Sequence, residues 1–387
     1  MKPGTPQFVG ERLREAREAR SLSALALSQL IGVSRQAVSQ YENGPETPSP
    51  TVLWRIADIL RLPTHFFLQA GDSGHPGPIF YRSMASATKA SRARAESRFK
   101  WMRRIVGFVR GFVNFPKANY PDFEVPSDPL EIGQSLIEDA ATASRRHWRL
   151  GDGPISNVVL LLENNGTIVA RHDLAAESLD AFSMWSSEEK TPYIVLNSEK
   201  GVAVRSRFDV AHELGHLILH RNMPPGFLRR PELFEVVELQ AHAFARAFLL
   251  PAKTFTSDVI APTLDSFRAV KSKWRVSIQA MIFRAKDLGL LSEEQERRIW
   301  PNLARRGWRR VEPLDDTLEF EKPRLLPRSV DLMVNSGATT KQDLEFQVAL
   351  SPEDIEELVG LAPGYLSARE TDDGGREPRI VRFPSAN

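Results

Sequence analysis

Two histidines four residues apart, with a glutamate directly after the first, are the residues of this chain best placed to do chemistry: His212-Glu213-Leu214-Gly215-His216. On an α-helix that spacing puts both imidazoles on one face about a turn apart, where they can grip a single ion. Glu213 then falls beside the open coordination position rather than on the ion. There its carboxylate can take a proton from an activated water and pass it to a leaving amine. The metal's share would be to lower the pKa of water from about 16 toward about 7 and to polarise a scissile carbonyl. Glu238, 22 residues after His216, supplies a third ligand at a workable position. Two His and one Glu with water in the fourth place make the open, catalytic type of zinc site. The chain has no cysteine, which excludes disulfides, Cys-based zinc fingers, iron–sulfur clusters and thiol nucleophiles, so any metal must be held by His and carboxylates.

Two further histidines lie close by. The helical period of Glu238 to Pro251 puts Glu238 and His242 on one face, opposite a stripe containing Phe244 and Leu250. His242 either orients a ligand from behind or takes the place of Glu238 on the metal. His220, eight residues past His212 and turned well away from it, reads as a hydrogen-bonded core histidine.

The elements that must hold these residues belong to a chain of 387 residues, long enough for two or three domains. Hydrophobic residues at 42% and charged residues at 26% fit a globular protein and exclude wholesale disorder or a collagen-like chain. No apolar run approaches the ~20 residues needed to span a bilayer. The N-terminus moves from Met1-Lys2-Pro3-Gly4 into charged sequence without the apolar stretch of a secretion signal, so a cytoplasmic protein with no membrane partner is expected. From about residue 131 the pattern is mixed α and β. Residues 137–148 read as a helix, 158–163 as an apolar strand, 164–166 as a hairpin-type turn into a strand over 167–170, and 193–196 as a further β run. These would form a small sheet ahead of the helix bearing His212.

The net charge of +2 conceals an asymmetry: residues 1–110 hold 17 Lys+Arg against 8 Asp+Glu, a balance of +9, which leaves −7 for the rest. A localised positive region favours a polyanion such as nucleic acid. The first 70 residues read as short amphipathic helices, starting at Phe8, Leu25, Ser34 and Val52, with Gly32 at a sharp turn and Ser34 as an N-cap. Helix, Gly-containing turn and the stretch Ser34-Arg35-Gln36-Ala37-Val38-Ser39-Gln40-Tyr41-Glu42-Asn43-Gly44 together resemble the helix-turn-helix of the XRE (Cro/C1 repressor-like) family over about residues 8–68. The resemblance implies double-stranded DNA as a partner. Arg35, Gln36 and Gln40 would lie at base edges in the major groove, and Ser34 and Ser39 nearer the backbone. Ala24 departs from the Gln that many members carry at the start of the second helix.

Residues 71–78 read as a linker. Residues 82–110 then hold nine basic residues and one acidic residue, with Phe99, Met102, Val106, Val109 and Val113 on one helical face. A connecting helix packed by that apolar stripe is preferred, with a DNA-backbone contact or a dimerising seam as alternatives. Residues 276–291 resemble a second helix-turn-helix and serve equally well as a structural pair covering the metal domain. Residues 300–387 include a helix from Pro352 and an Asp-, Gly- and Arg-rich tail from Thr371, expected to be mobile.

The run from Arg205 to Phe208 into Ala211-His-Glu-Leu-Gly-His216, followed by Glu238, Ala241, Phe244-Ala245 and Leu249-Leu250-Pro251, resembles the ImmA/IrrE metallopeptidase family over about residues 130–290. Residues 180–183 and 194–197 are similar to that family's approach to its metal helix. By position the resemblance implies His212, His216 and Glu238 as ligands of Zn²⁺, or of Mn²⁺ in its place, and Glu213 as the base. It also implies a protein substrate, a helix-turn-helix repressor cut in response to stress or DNA damage. The expected fold is α+β and predominantly α. A helix-turn-helix domain would span 1–70, a linker and basic helix 71–129, a zincin-like metallopeptidase domain with a small sheet 130–292, and a mainly helical C-terminal region 293–387. A homodimer is compatible with it. The alternative function is a non-catalytic XRE regulator whose peptidase-like domain senses a metal or ligand, or binds a partner in the manner of an antitoxin.

Overall fold

The computed structural model describes residues 4–71, 79–81, 88–174, 180–198, 202–224, 230–367 and 381–382. Four short helices come first: α1 (Gly10–Ala19), α2 (Ala24–Ile31), α3 (Arg35–Asn43) and α4 (Pro50–Leu60), with a 3₁₀ turn over Thr64–Leu68. Ser23 and Ser34 cap α2 and α3, each hydroxyl accepting from an N–H of the first turn at 3.0 Å. Gly32 joins the two helices at φ +69°, a left-handed conformation that side chains strain to adopt. Leu13, Leu27, Ile31, Val38, Ile56, Leu60, Phe66 and Phe67 close over this head as its core.

The chain continues through β1 (Ile79–Tyr81), α5 (Lys89–Arg110), β2 (Val113–Asn114), α6 (Gln134–His147), α7 (Val158–Asn164), β3 (Ile168–His172), β4 (Ala181–Ser186) and β5 (Thr191–Asn197). The helices α8 (Ala203–Leu219), α9 (Pro231–Leu249), α10 (Ala252–Asp258), α11 (Leu264–Trp274), α12 (Ile278–Asp287) and α13 (Glu293–Arg305) follow. Last come α14 (Leu325–Asn335), α15 (Lys341–Val348), α16 (Pro352–Val359) and β6 (Val381–Arg382). The fold is mostly helical, of the class expected, with a four-stranded sheet and a parallel pair of β2 with β6 among the described residues. Of the expected linker only Gly71 is among the described residues, and of the tail from Thr371 only Val381 and Arg382.

The sheet has the order β1-β4-β5-β3, with β3 parallel to β5 and the other pairs antiparallel. Alternate residues leave it on opposite sides, as the two-residue period requires. Ile168, Ala170, Phe182, Met184, Tyr193 and Val195 enter one core, shared with the head, α5 and α14–α16. Val169, Ala181, Ile194 and Leu196 enter the other, shared with α6–α9 and α11–α13.

Residues 158–163, expected as a strand, form the helix α7. An apolar run this short does not distinguish strand from helix by periodicity. Helix wins because its N-terminus is doubly capped. Asn157 accepts from the Leu160 N–H at 2.7 Å, and the Glu321 carboxylate accepts from the N–H groups of Val158 and Val159 at 2.7 and 3.1 Å. The buried set Val158, Val159 and Leu162 then follows the helical, not the alternating, period.

The apolar stripe expected on the basic helix is buried: Phe99, Met102, Val106 and Val109 of α5 all lie in the first core, with Val113 beyond its end. Phe99 meets Phe182 and Tyr193 of the sheet edge to face, at centroid distances of 5.8 and 5.3 Å. Six of the cations on α5 close on carboxylates. Arg94 pairs with Asp173, Arg98 with Asp354 and Glu357, Lys100 with Glu11, Arg103 and Arg110 with Glu189, and Arg104 with Glu15. Much of the positive charge counted over residues 1–110 is therefore neutralised inside the molecule rather than presented to a polyanion. The same contacts anchor the head: Trp101 donates to Glu15 at 2.7 Å, and Arg20 forks onto Asp354 of α16 at 2.5–2.6 Å.

Residues 312–325 cross the metal domain as a strap whose carboxylates meet helix N-termini, where free N–H groups favour negative charge. Glu312 accepts from Ile278 and Gln279 at the start of α12 and pairs with the buried Lys271 at 2.8 Å. Glu321 caps α7 and pairs with buried Arg207 of α8. In return Glu163, near the end of α7, accepts from Arg324 and Leu325 at 2.9–3.0 Å, where α14 begins.

Glu321→Ala should destabilise the protein by ~3–5 kcal/mol, because it strands a buried guanidinium as well as a helix cap, and Glu321→Gln by less; urea melts of the two variants measure this. Burial pushes the Glu163 carboxyl from 4.5 up to about 7. Between those values the folded state binds more protons than the unfolded chain, so stability falls as pH rises through that window. Glu163→Gln should flatten this slope, measured as the midpoint of unfolding at pH 5 and pH 8.

Candidate metal centre and DNA-reading helix

Helix α8 is buried along nearly its whole length, including His212, Glu213 and His216. Its partner α9 runs close beside it because Gly215 has no side chain. A Cβ there would lie 3.2 Å from both the Cα and the carbonyl oxygen of Ala241. This approach brings Glu238 of α9 to the two histidines. The Nε2 atoms of His212 and His216 are 3.0 Å apart, and the Glu238 carboxylate reaches them at 3.4 and 3.3 Å.

These spacings test the fit to a metal. Four ligands around zinc at bond lengths of about 2.0–2.1 Å lie about 3.3–3.4 Å from one another in a tetrahedron. The three ligand atoms describe one face of such a figure, and all lie within 4.8 Å of one another. The donor set, two neutral imidazole nitrogens and one carboxylate, is the His₂Glu chemistry of open zinc sites. Among the described residues this is the one group of three or more His and carboxylate side chains that converges in this way.

His242 stands beside the group rather than within it. Its ring centroid is 4.4 Å from that of His212, and it stacks on Phe208 at 5.8 Å. His242, Phe208, Asp209, Leu239, Phe283 and Arg309 line a cleft of about 880 Å³ that opens next to the site. The exposed Leu239 and Phe283 give it an apolar stretch.

His220, expected to be a core histidine with a hydrogen bond, is buried and hydrogen-bonded, and one of its partners is a ligand candidate. Its Nδ1 is 3.1 Å from Nδ1 of His216, and its Nε2 is 3.0 Å from Oε1 of Gln240. Burial holds it neutral, with a pKa down at about 3. Gly215, Gln240 and the Arg207–Glu321 pair behind α8 were not singled out in the sequence. Gly215 alone carried a local signal, a helix-weakening residue inside a strongly helical run.

In the head, Arg35, Gln36 and Ser39 of α3 and its N-cap Ser34 are exposed and Gln40 is half-buried, while Val38 and Glu42 turn inward. The Ser34 hydroxyl caps α3, and Ser39 accepts from Asn43. Arg17 of α1 forks onto Glu42 at 2.5 and 2.9 Å and donates to the Leu22 carbonyl at 2.9 Å, which locks α1, α3 and the intervening turn. The second helix-turn-helix resemblance has a different fate. The N-terminus of α12 is covered by Glu312, and Gln279 donates to the Arg309 carbonyl at 3.2 Å. Its first turn therefore faces protein.

Fold and site together define a two-part protein: a helix-turn-helix head joined to an α+β domain with a buried His-Glu-x-x-His helix. The family model described as Helix-turn-helix matches residues 13–67, and that described as IrrE N-terminal-like domain, of the M78 peptidases, matches residues 162–286. A transcriptional regulator encoded in the ATPase CF(0) region of Rhodospirillum rubrum is 36% identical over 89 residues, 22% of this chain and 82% of that protein. An HTH-type transcriptional regulator of Sinorhizobium medicae is 32% identical over 85 residues, 21% of this chain and 58% of that protein. A prophage-derived HTH-type regulator of Bacillus subtilis, YonR, is 32% identical over 62 residues, 16% of this chain and 57% of that protein. The chain belongs to the XRE-type helix-turn-helix transcriptional regulators, DNA-binding proteins, and carries an IrrE-like M78 peptidase domain behind the head. Among the described residues no helix is long and apolar enough to cross a membrane.

Replacing Arg35 and Gln36 by Ala should relax discrimination between operator and random DNA by roughly 1–3 kcal/mol per lost bidentate contact and leave salt-dependent background binding in place. Fluorescence anisotropy with both duplexes at fixed salt measures it.

Proposed function

We propose that this regulator is a zinc endopeptidase acting in transcriptional control, with a helix-turn-helix repressor as its substrate in a stress or DNA-damage response. The observation that carries the reading is the triangle of His212, His216 and Glu238, spaced as ligands of one tetrahedral ion with Glu213 next in the helix. His212 and His216 would hold the metal through Nε2 and Glu238 through its carboxylate. Zinc bound there, or Mn²⁺ in its place, supplies Lewis-acid activation of a water and of a peptide carbonyl. Glu213 would take a proton from the attacking water and return it to the leaving nitrogen. The adjoining cleft offers room for an extended segment of a protein chain, with Leu239 and Phe283 to receive apolar side chains. The head, through Arg35, Gln36 and Gln40 at base edges and Ser34 and Ser39 near the backbone, would place this chemistry beside a promoter.

The test is to incubate the zinc-loaded protein with a small helix-turn-helix repressor encoded beside it. Cleavage is expected with the wild type and should fall by at least about a hundredfold with Glu213→Gln, which keeps the shape of the side chain but removes the base. Stoichiometric zinc with no cleavage of any candidate repressor would overturn the enzymatic reading and leave a metal-sensing regulator.

A further inference from the structure

We infer that His220 and Gln240 form a relay that sets the tautomer and orientation of His216, and that both are positioning residues for the metal site. The inference rests on the metal-site reading above and concerns residues that take no part in the ligand triangle. The Gln240 amide nitrogen lies 2.7 Å from the Pro129 carbonyl oxygen and 2.9 Å from that of Ile132. Two carbonyls can only accept, so this end of the amide is the NH₂ group and the other end, Oε1, is an acceptor.

Oε1 faces Nε2 of His220 at 3.0 Å, so that nitrogen carries the hydrogen. A neutral imidazole has one N–H, which leaves Nδ1 of His220 as an acceptor. Nδ1 of His216 stands 3.1 Å away and must be the donor. With its hydrogen on Nδ1, His216 presents the bare lone pair of Nε2 toward His212 and Glu238, which lie 3.0 and 3.3 Å from it. Two backbone carbonyls of the segment before α6 thus determine which nitrogen of His216 carries the hydrogen and which turns its lone pair to the ligand triangle.

The placement of the parts supports a dedicated role. His220 is the residue that ends α8, one turn past His216, and its ring lies against that of His216, while Gln240 lies on α9 two residues past Glu238. All three relay residues are buried, so water does not compete for their hydrogen bonds. The carbonyl ends of the relay lie more than a hundred residues earlier in the chain, so the folded domain must be complete before the tautomer is set.

The test uses the full-length protein, stripped of metal and titrated with zinc against a chromophoric chelator. His220→Leu and Gln240→Leu should weaken zinc binding by about 10–100-fold, the usual effect of removing a group that orients a ligand. His220→Asn should retain most of the affinity, since its side-chain oxygen can still accept from His216. A purely structural role would make the Asn variant as weak as the Leu variant. A second readout needs no metal: with ¹⁵N-labelled histidine, the hydrogen on Nδ1 of His216 should give a slowly exchanging resonance in the wild type and in His220→Asn and lose it in His220→Leu. Equal zinc affinity in wild type, His220→Leu and Gln240→Leu would overturn the relay, as would a hydrogen on Nε2 of His216. If the wild type takes up no zinc, the metal-site reading fails, and the resonance alone decides the relay. Should His220→Leu not fold, Gln240→Leu and His220→Asn still give opposite expected outcomes.

Discussion

A four-stranded sheet buried on both faces is the constraint from which the rest of the architecture follows. Because successive side chains leave a strand on opposite sides, Ile194 and Leu196 of β5 demand a cover on one face, and Tyr193 and Val195 demand another. The helices α6 to α13 supply only the first. The second is made from α5, the helix-turn-helix head and the C-terminal helices α14–α16, which come from the two ends of the described chain. The head is therefore part of a core that includes the sheet, not a module on a tether. Phe99, held edge to face against Phe182 and Tyr193, marks the junction.

Covering that face forces charge into the interior, and the structure manages it by pairing. The cations of α5 meet carboxylates from the head, from β3's end, from the turn before β5 and from α16, so one helix gathers four separate stretches of chain. Buried pairs of this kind add little net stability relative to apolar packing, but losing one partner is costly. They therefore enforce one arrangement of head, sheet and C-terminal helices. The strap over residues 312–325 works by the same rule at the other core, joining carboxylates to the N–H groups of α7, α12 and α14 and to Arg207 on α8. Arg207 lies five residues before His212, so the strap steadies the helix that carries the two candidate ligand histidines.

The site itself depends on how closely two helices approach. Gly215 lets α8 and α9 come together at Ala241, and this sets Glu238 within 3.3–3.4 Å of both histidines. The same approach brings Gln240 to His220. One contact between helices thus assembles both the ligand triangle and the hydrogen bonds behind it. On the DNA side the parallel device is the Arg17–Glu42 pair, which fixes the attitude of α3 relative to α1 and leaves Arg35, Gln36 and Ser39 facing outward.

What can be read in the sequence is what short-range geometry encodes. The four-residue spacing of His212 and His216, the capping Ser34, the turn at Gly32 and the apolar stripe from Phe99 to Val109 are all local patterns with a single helical or turn solution, whereas Val113, expected on the same helical face, lies in β2. The apolar run at 158–163 has no single local solution. It became a helix because Glu321, more than 150 residues later, caps its first turn. The charge of the first 110 residues pointed to a polyanion, yet its partners on α5 include Asp173, Glu189, Asp354 and Glu357, which no window around α5 contains. His220 could be recognised as a buried histidine with a hydrogen bond but its tautomer could not, since that is set by Gln240 and by carbonyls at 129 and 132. The sequence by itself determined which residues could bind a metal and read DNA, because the spacing of His212 and His216, the helical pattern around Glu238 and the residues of α3 are each local to one helix. Tertiary structure alone decided which ring nitrogen of His216 carries the hydrogen and where the charges close, because each depends on groups brought together from distant parts of the chain.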